Sequence, residues 1–79
     1  MIRMFPVNSD FIHSAGYLAL TKLLVIRFKN GSYYSYKNVS NWVFYSLYSG
    51  DYPGIFFYER IRGKYEYSKI SKSDLKNIV

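Results

Sequence analysis

The side chains of this sequence that could bind a partner are basic and aromatic, and they fall into two sets. The first set is Arg27, Lys29 and Lys37 around Tyr33, and the second is Arg60, Arg62 and Lys64, followed by Tyr65 and Tyr67. Cations neutralise phosphates and an aromatic ring stacks on an unpaired base, so each set predicts contact with single-stranded nucleic acid. The alternative interpretation of the first set is a solvated sheet surface whose lysines prevent aggregation.

The residue types that enzymes and metal sites require are absent or scattered. The chain has no cysteine, which excludes disulfides, thiolate zinc sites and thiol catalysis. Its one histidine, His13, has no motif around it, and we interpret it as structural. The carboxylates occur singly, without the spacing of metal ligands or of a glycosidase pair. We therefore predict no enzymatic activity, no metal site and no cofactor.

The composition predicts one small folded domain over residues 1–79. An aromatic content of 22% is too high for a disordered segment. Eleven basic against five acidic residues give a net charge of +6, which favours a polyanionic partner but also fits a merely soluble basic protein. The chain begins without the apolar run of a signal peptide, and no apolar run is long enough to span a bilayer. A cytoplasmic protein without a membrane partner is the expectation.

The segment that must position these side chains is Leu23 to Val39, which is predicted to be a hairpin turning at Asn30-Gly31. A two-residue loop would pair Phe28 with Tyr33, and a three-residue loop with Gly31 in the left-handed conformation would pair Phe28 with Ser32. We favour the three-residue loop because it separates apolar from polar positions. Leu24, Ile26, Phe28, Tyr34 and Tyr36 then share the buried face, and Arg27, Lys29, Tyr33, Ser35 and Lys37 share the solvent face.

The other elements complete an α+β fold. A strand over Phe11–Tyr17 precedes the hairpin and forms with it a three-stranded antiparallel meander, which two short helices cover on one face. We expect the helices at Asn41–Ser49, with Ser40 as N-cap, and at Ile55–Arg62, ended by Gly63. Residues 1–10 are expected as an extended lead-in or an arm, and residues 64–70 as an edge strand or part of a short C-terminal tail.

Several short motifs occur in an order and spacing that resemble those of the KTSC domain family, named for its occurrence at the C-terminus of some lysyl-tRNA synthetases. They are Gly16-Tyr17, Leu24, Ile26 and Phe28 before Asn30-Gly31, Tyr34-Ser35-Tyr36, Val39, Val43, Leu47, Gly54, and Phe57 through Ile61-Arg62 to Tyr65. The resemblance covers residues 9–65 and leaves 66–79 as a C-terminal extension. It implies a free-standing small protein of a kind also found in phages.

The family has no established function, and RNA binding has been suggested for it from its association with a tRNA synthetase. We therefore expect a small accessory nucleic-acid-binding module, with RNA ahead of DNA. The alternative is a protein-binding module or a phage-encoded inhibitor of a host defence protein, which would use exposed tyrosines and basic residues. A small nucleotide-like anionic ligand is a third hypothesis, and a homo-oligomer is compatible with each of them.

Overall fold

One five-stranded antiparallel sheet organises the computed structural model, which describes residues 2–78. The strands pair in sequence order: β1 Phe5–Pro6, β2 Ile12–Leu18, β3 Leu23–Phe28, β4 Tyr33–Tyr36 and β5 Tyr67–Ile70. The helices are α1 Asn41–Ser49, α2 Pro53–Phe56, which continues as a π-helical turn over Phe57–Ile61, and α3 Lys72–Lys76. The predicted α+β class is confirmed, and the prediction of three strands is wrong because the two terminal segments add β1 and β5 at the edges.

The central hairpin has the predicted three-residue loop. The Phe28 amide donates to the Ser32 carbonyl at 2.8 Å, and the Gly31 amide donates to the Phe28 carbonyl at 2.9 Å. Gly31 has a φ of +94°, in the left-handed region that glycine adopts without strain. Ile26 consequently lies opposite Tyr34 and Leu24 opposite Tyr36, which is the predicted register.

The helices bury their apolar positions on the face that carries Leu24 and Ile26. Helix α1 contributes Val43 and Leu47 to this main core, and the π-helical turn contributes Phe57 and Ile61. The bounds of α1 are those predicted, whereas the second helix begins at Pro53, two residues earlier than expected. No helix within residues 2–78 is long and apolar enough to cross a membrane.

The opposite face of the sheet is also covered, which corrects the prediction of helices on one face only. Ile2, Val25, Tyr33 and Leu75 form a second, smaller core between the sheet, the N-terminal segment and α3. Helix α3 begins with a capping box in which the Ser71 hydroxyl accepts from the Asp74 amide and the Asp74 carboxylate accepts from the Ser71 amide. Short apolar segments at the two ends of the chain thus cover a surface predicted to face solvent.

Replacing Leu75 with Ala tests whether the second core is part of the folded structure. Leu75 is buried, so we expect Leu75→Ala to lower the free energy of unfolding by about 2 to 5 kcal/mol. The neighbouring exposed Lys76 is the matched control, and Lys76→Ala should stay within about 0.5 kcal/mol of wild type. Equal stability of the two variants in urea titrations would mean that this face of the sheet is open.

A second substitution tests the turn. Built on Gly31, a Cβ atom meets no atom within 4 Å, so any cost of a side chain there comes from backbone strain alone. We expect Gly31→Val to destabilise by more than about 1 kcal/mol and Gly31→Asn to cost clearly less, because Asn tolerates positive φ. Equal stability of both variants, measured by thermal unfolding, would contradict the left-handed conformation at this residue.

Candidate functional site

A cavity of about 500 Å³ opens between the π-helical turn and the last two strands. Its lining is almost entirely aromatic, and we call it the aromatic cleft: Phe11, Phe28, Tyr34, Tyr36, Phe57, Tyr58, Arg62, Gly63 and Tyr67. This volume lies within the range of sites that hold one ligand of nucleotide size. Among the described residues, the lining contains one cation and no carboxylate, so it is suited to a flat ring that carries a negatively charged group.

Strands β4 and β5 build the tyrosine wall of the cleft. Tyr34 and Tyr36 are two residues apart on β4 and therefore share a face. The pairing of Tyr36 with Tyr67 adds a third ring from β5, whose centroid lies 6.0 Å from those of both Tyr34 and Tyr36. Three phenol hydroxyls, each able to donate and accept a hydrogen bond, thus belong to one side of the cleft.

The helical wall and the floor come from the other half of the chain. The Arg62 guanidinium lies 5.2 Å from the centre of the Tyr58 ring, close enough for a cation–π interaction. The hydrogen bond from the Arg62 amide to the Phe57 carbonyl, at 2.8 Å, closes the π-helical turn between these residues. Phe57 packs edge-on against Phe28 with centroids 5.5 Å apart, which gives the cleft a rigid apolar floor.

Burial and neighbouring phenols keep Tyr36 uncharged. Desolvation, followed by the nearby Tyr34 and Tyr67 phenols, raises the pKa of Tyr36 to about 12, although Arg62 acts in the opposite direction. Tyr36 therefore remains a neutral hydroxyl donor at any physiological pH. The cleft offers a ligand hydroxyl groups and one positive charge.

The structure does not bring the first predicted set together on a solvent-facing platform. Only 8% of the Tyr33 surface is exposed. The prediction that its ring faces solvent, where a base could stack on it, is therefore wrong. Arg27 is half-buried, with its guanidinium 5.6 Å from the Tyr33 ring centre, and Lys37 forms an ion pair with Glu66 at 3.3 Å. Lys29 is exposed on the turn, beside a separate depression that also contains acidic residues.

The second predicted set divides between two surfaces. Arg62 lines the aromatic cleft, and Lys64 is exposed close to it in the chain. Arg60 lies in a different depression between α1 and α2. Sequence reasoning assigned Tyr34 and Tyr36 to the core and gave Tyr58 no role, although the spacing of Tyr58 and Arg62, four residues apart on a helix, was a usable signal.

Comparison of the chain with models of protein families gives a match over most of its length. The KTSC domain profile matches residues 8–74, which is most of the chain. The chain belongs to the KTSC domain family. The match continues past Tyr65 through β5 and into α3, further than the sequence motifs indicated. A search of proteins with curated functions finds no match.

A solved member of the KTSC family has the same fold. The crystal structure of KTSC domain protein YPO2434 from Yersinia pestis matches with a TM-score of 0.82 and 32% sequence identity. The match covers 90% of the present chain and 100% of that chain. The lining of the cleft, from Phe11 to Tyr67, lies within the residues 8–74 that the KTSC domain profile matches.

Titration of the tyrosines tests the electrostatics of the cleft. Among the ten tyrosines, Tyr36 should ionise late, with a pKa of about 12 against an ordinary value of 10.0. The folded protein holds this proton more tightly than the unfolded chain, so the stabilisation is complete below pH 10 and is lost as the pH rises towards 12.

The measurement is the ultraviolet absorbance of phenolate as the pH is raised, compared between wild type and Tyr36→Phe. We expect the variant to lose the ionisation near pH 12 that Tyr36 contributes to the wild-type curve. If the high-pH absorbance curves of wild type and Tyr36→Phe coincide after scaling for the number of tyrosines, the raised pKa of Tyr36 is contradicted.

Proposed function

We propose that this KTSC domain binds single-stranded nucleic acid, with RNA ahead of DNA, by taking an unpaired base into the aromatic cleft. The observation that carries the proposal is a pair of exposed rings on the two sides of the cleft, Tyr58 (53% exposed) and Tyr67 (58% exposed). Tyr58 packs on Phe11 and Phe57, and Tyr67 packs on the two tyrosines of β4. Rings held on one side and open on the other are suited to stacking with a base.

Positive charge around the cleft supports a contact with phosphate. Arg62 lies in the lining, and Lys64 and Lys69 are exposed. Lys69 lies opposite Tyr34 in the register of β4 and β5, so it shares the face that carries the tyrosine wall. These cations can contact phosphates that flank a base bound in the cleft.

The tyrosine hydroxyls support RNA over DNA. A ribose 2′-hydroxyl both donates and accepts hydrogen bonds, and it distinguishes RNA from DNA at a protein site. The phenol hydroxyls of Tyr34 and Tyr67 have the same dual character, and both rings line one side of the cleft. A DNA strand offers no equivalent partner to them and should bind more weakly.

Fluorescence anisotropy with short labelled single-stranded RNA and DNA of the same sequence tests the proposal. Replacing either exposed ring, in Tyr58→Ala or Tyr67→Ala, should weaken RNA binding by about 1 to 3 kcal/mol through loss of stacking. Arg62→Gln should lower the slope of log affinity against log salt by about 0.7 for each phosphate that the guanidinium neutralises in the wild-type complex.

Matched controls separate the cleft from the rest of the surface. Tyr45→Ala removes an equally exposed ring from α1, and Lys37→Gln removes a cation that is paired with Glu66 away from the cleft. Both should leave the affinity within about twofold of wild type, since surface substitutions away from a site have small effects. Wild-type protein without affinity for RNA or DNA at low salt would end the nucleic-acid proposal. A free nucleoside monophosphate that binds as tightly as the oligonucleotide would assign the cleft to a small ligand.

A further inference from the structure

A second surface, formed by α1 and α2, exposes large apolar side chains that the proposed nucleic-acid site does not use. Trp42 is 56% exposed, Tyr52 is 73% exposed and Ile55 is 58% exposed. Together with Phe56, whose ring centroid lies 6.5 Å from that of Trp42, they surround a depression of about 590 Å³. We call Trp42, Tyr52, Ile55 and Phe56 the helical patch. Contiguous exposed apolar groups of this kind are typical of interaction surfaces, and tryptophan and tyrosine are enriched there.

The charges beside the helical patch differ from those of the rest of the chain. Asp51, Glu59 and Arg60 line the same depression, so the local charge is −1 in a protein of net charge +6. Phosphates of a nucleic acid would meet two carboxylates here and only one cation. The patch is therefore poorly suited to a polyanion, in contrast to the aromatic cleft.

We infer that a second copy of this chain occupies the helical patch, in a two-fold symmetric dimer. A symmetric interface uses the same surface of both subunits and must therefore be complementary to itself. Opposite charges beside one apolar patch meet that requirement, because Arg60 of each copy can approach Glu59 or Asp51 of the other. Two copies of a chain with charge +6 repel one another, and a face that carries both signs of charge adds less to that repulsion than a purely basic face would.

The dimer would leave the aromatic cleft open. The lining of the cleft and the lining of the patch depression have no residue in common. A dimer would therefore present two clefts at once, and a nucleic acid long enough to reach both would bind more tightly than a short one. The dimer itself does not depend on the proposed function, and it can be tested without any ligand.

Sedimentation velocity over a range from low micromolar to millimolar protein tests the inference. We expect the wild-type mass to rise with concentration from 9.4 kDa towards twice that value. Ile55→Asp places a charge in the centre of the patch and should weaken self-association at least about tenfold, as expected for a buried interface residue. Leu20→Asp is the matched control, because Leu20 is exposed on the turn between β2 and β3, and it should associate like wild type.

Exchanging the charges of Glu59 and Arg60 tests whether the helical patch is the surface that forms the dimer. Arg60→Glu should weaken the dimer, because it leaves three carboxylates and no cation beside the patch of each copy. The double variant Glu59→Arg/Arg60→Glu should recover most of the association, because the two opposite charges have only changed places. Trp42 is the one tryptophan of the chain, so its fluorescence should shift to shorter wavelength as dimer forms.

Two results would overturn the dimer. The first is a wild-type protein that remains monomeric up to millimolar concentration. The second is self-association that Ile55→Asp and Leu20→Asp change equally, which would place the contact elsewhere. Circular dichroism of each variant checks that the fold is retained, and all four substituted positions are exposed in the folded chain.

Discussion

The left-handed turn at Gly31 is the constraint on which the rest of this structure depends. It pairs Phe28 with Ser32 and thereby places Tyr34 opposite Ile26. A slip of one residue would reverse the face of every side chain on β4. Tyr34 and Tyr36 would then leave the main-core side of the sheet, and the cleft would lose its tyrosine wall. A single backbone conformation thus determines both the core and the candidate site.

The cleft also depends on two features distant from that turn. Tyr67 reaches the cleft only because β5 returns to pair with β4, which would otherwise be the edge of the sheet. The π-helical turn widens the end of the second helix, where Tyr58 and Arg62 lie on one wall. Such turns interrupt regular helices and are frequent at functional sites. The cleft is formed where a late strand and an irregular helix meet the central hairpin.

The amino-acid sequence predicted correctly those features that depend on residues close together in the chain. Asn30-Gly31 and the alternation around it predicted the hairpin and its register, and Ser40 marked the start of α1 correctly. The second core was missed because its members come from short apolar segments at opposite ends of the chain, and no local period links Ile2 to Leu75. Tyr33 was then assigned to solvent by its alternation, which gives the face of a residue but not what covers that face. For the same reason the sequence placed Arg62 and Tyr67 in one candidate set without identifying Tyr34, Tyr36 and Tyr58 as the other rings near them.

The covered second face changes the role that the first basic set can have in the proposed function. Tyr33 cannot stack, the Arg27 side chain packs over its ring, and Glu66 offsets part of the charge of Lys37. Their charge still adds to the field of a protein with net charge +6, and such a field attracts a polyanion over a distance of about one Debye length, roughly 10 Å. Stacking requires direct contact with open rings, and the proposed function uses the exposed rings of Tyr58 and Tyr67 in the cleft. In the proposed function, long-range attraction and base contact would therefore come from different surfaces of the same small fold.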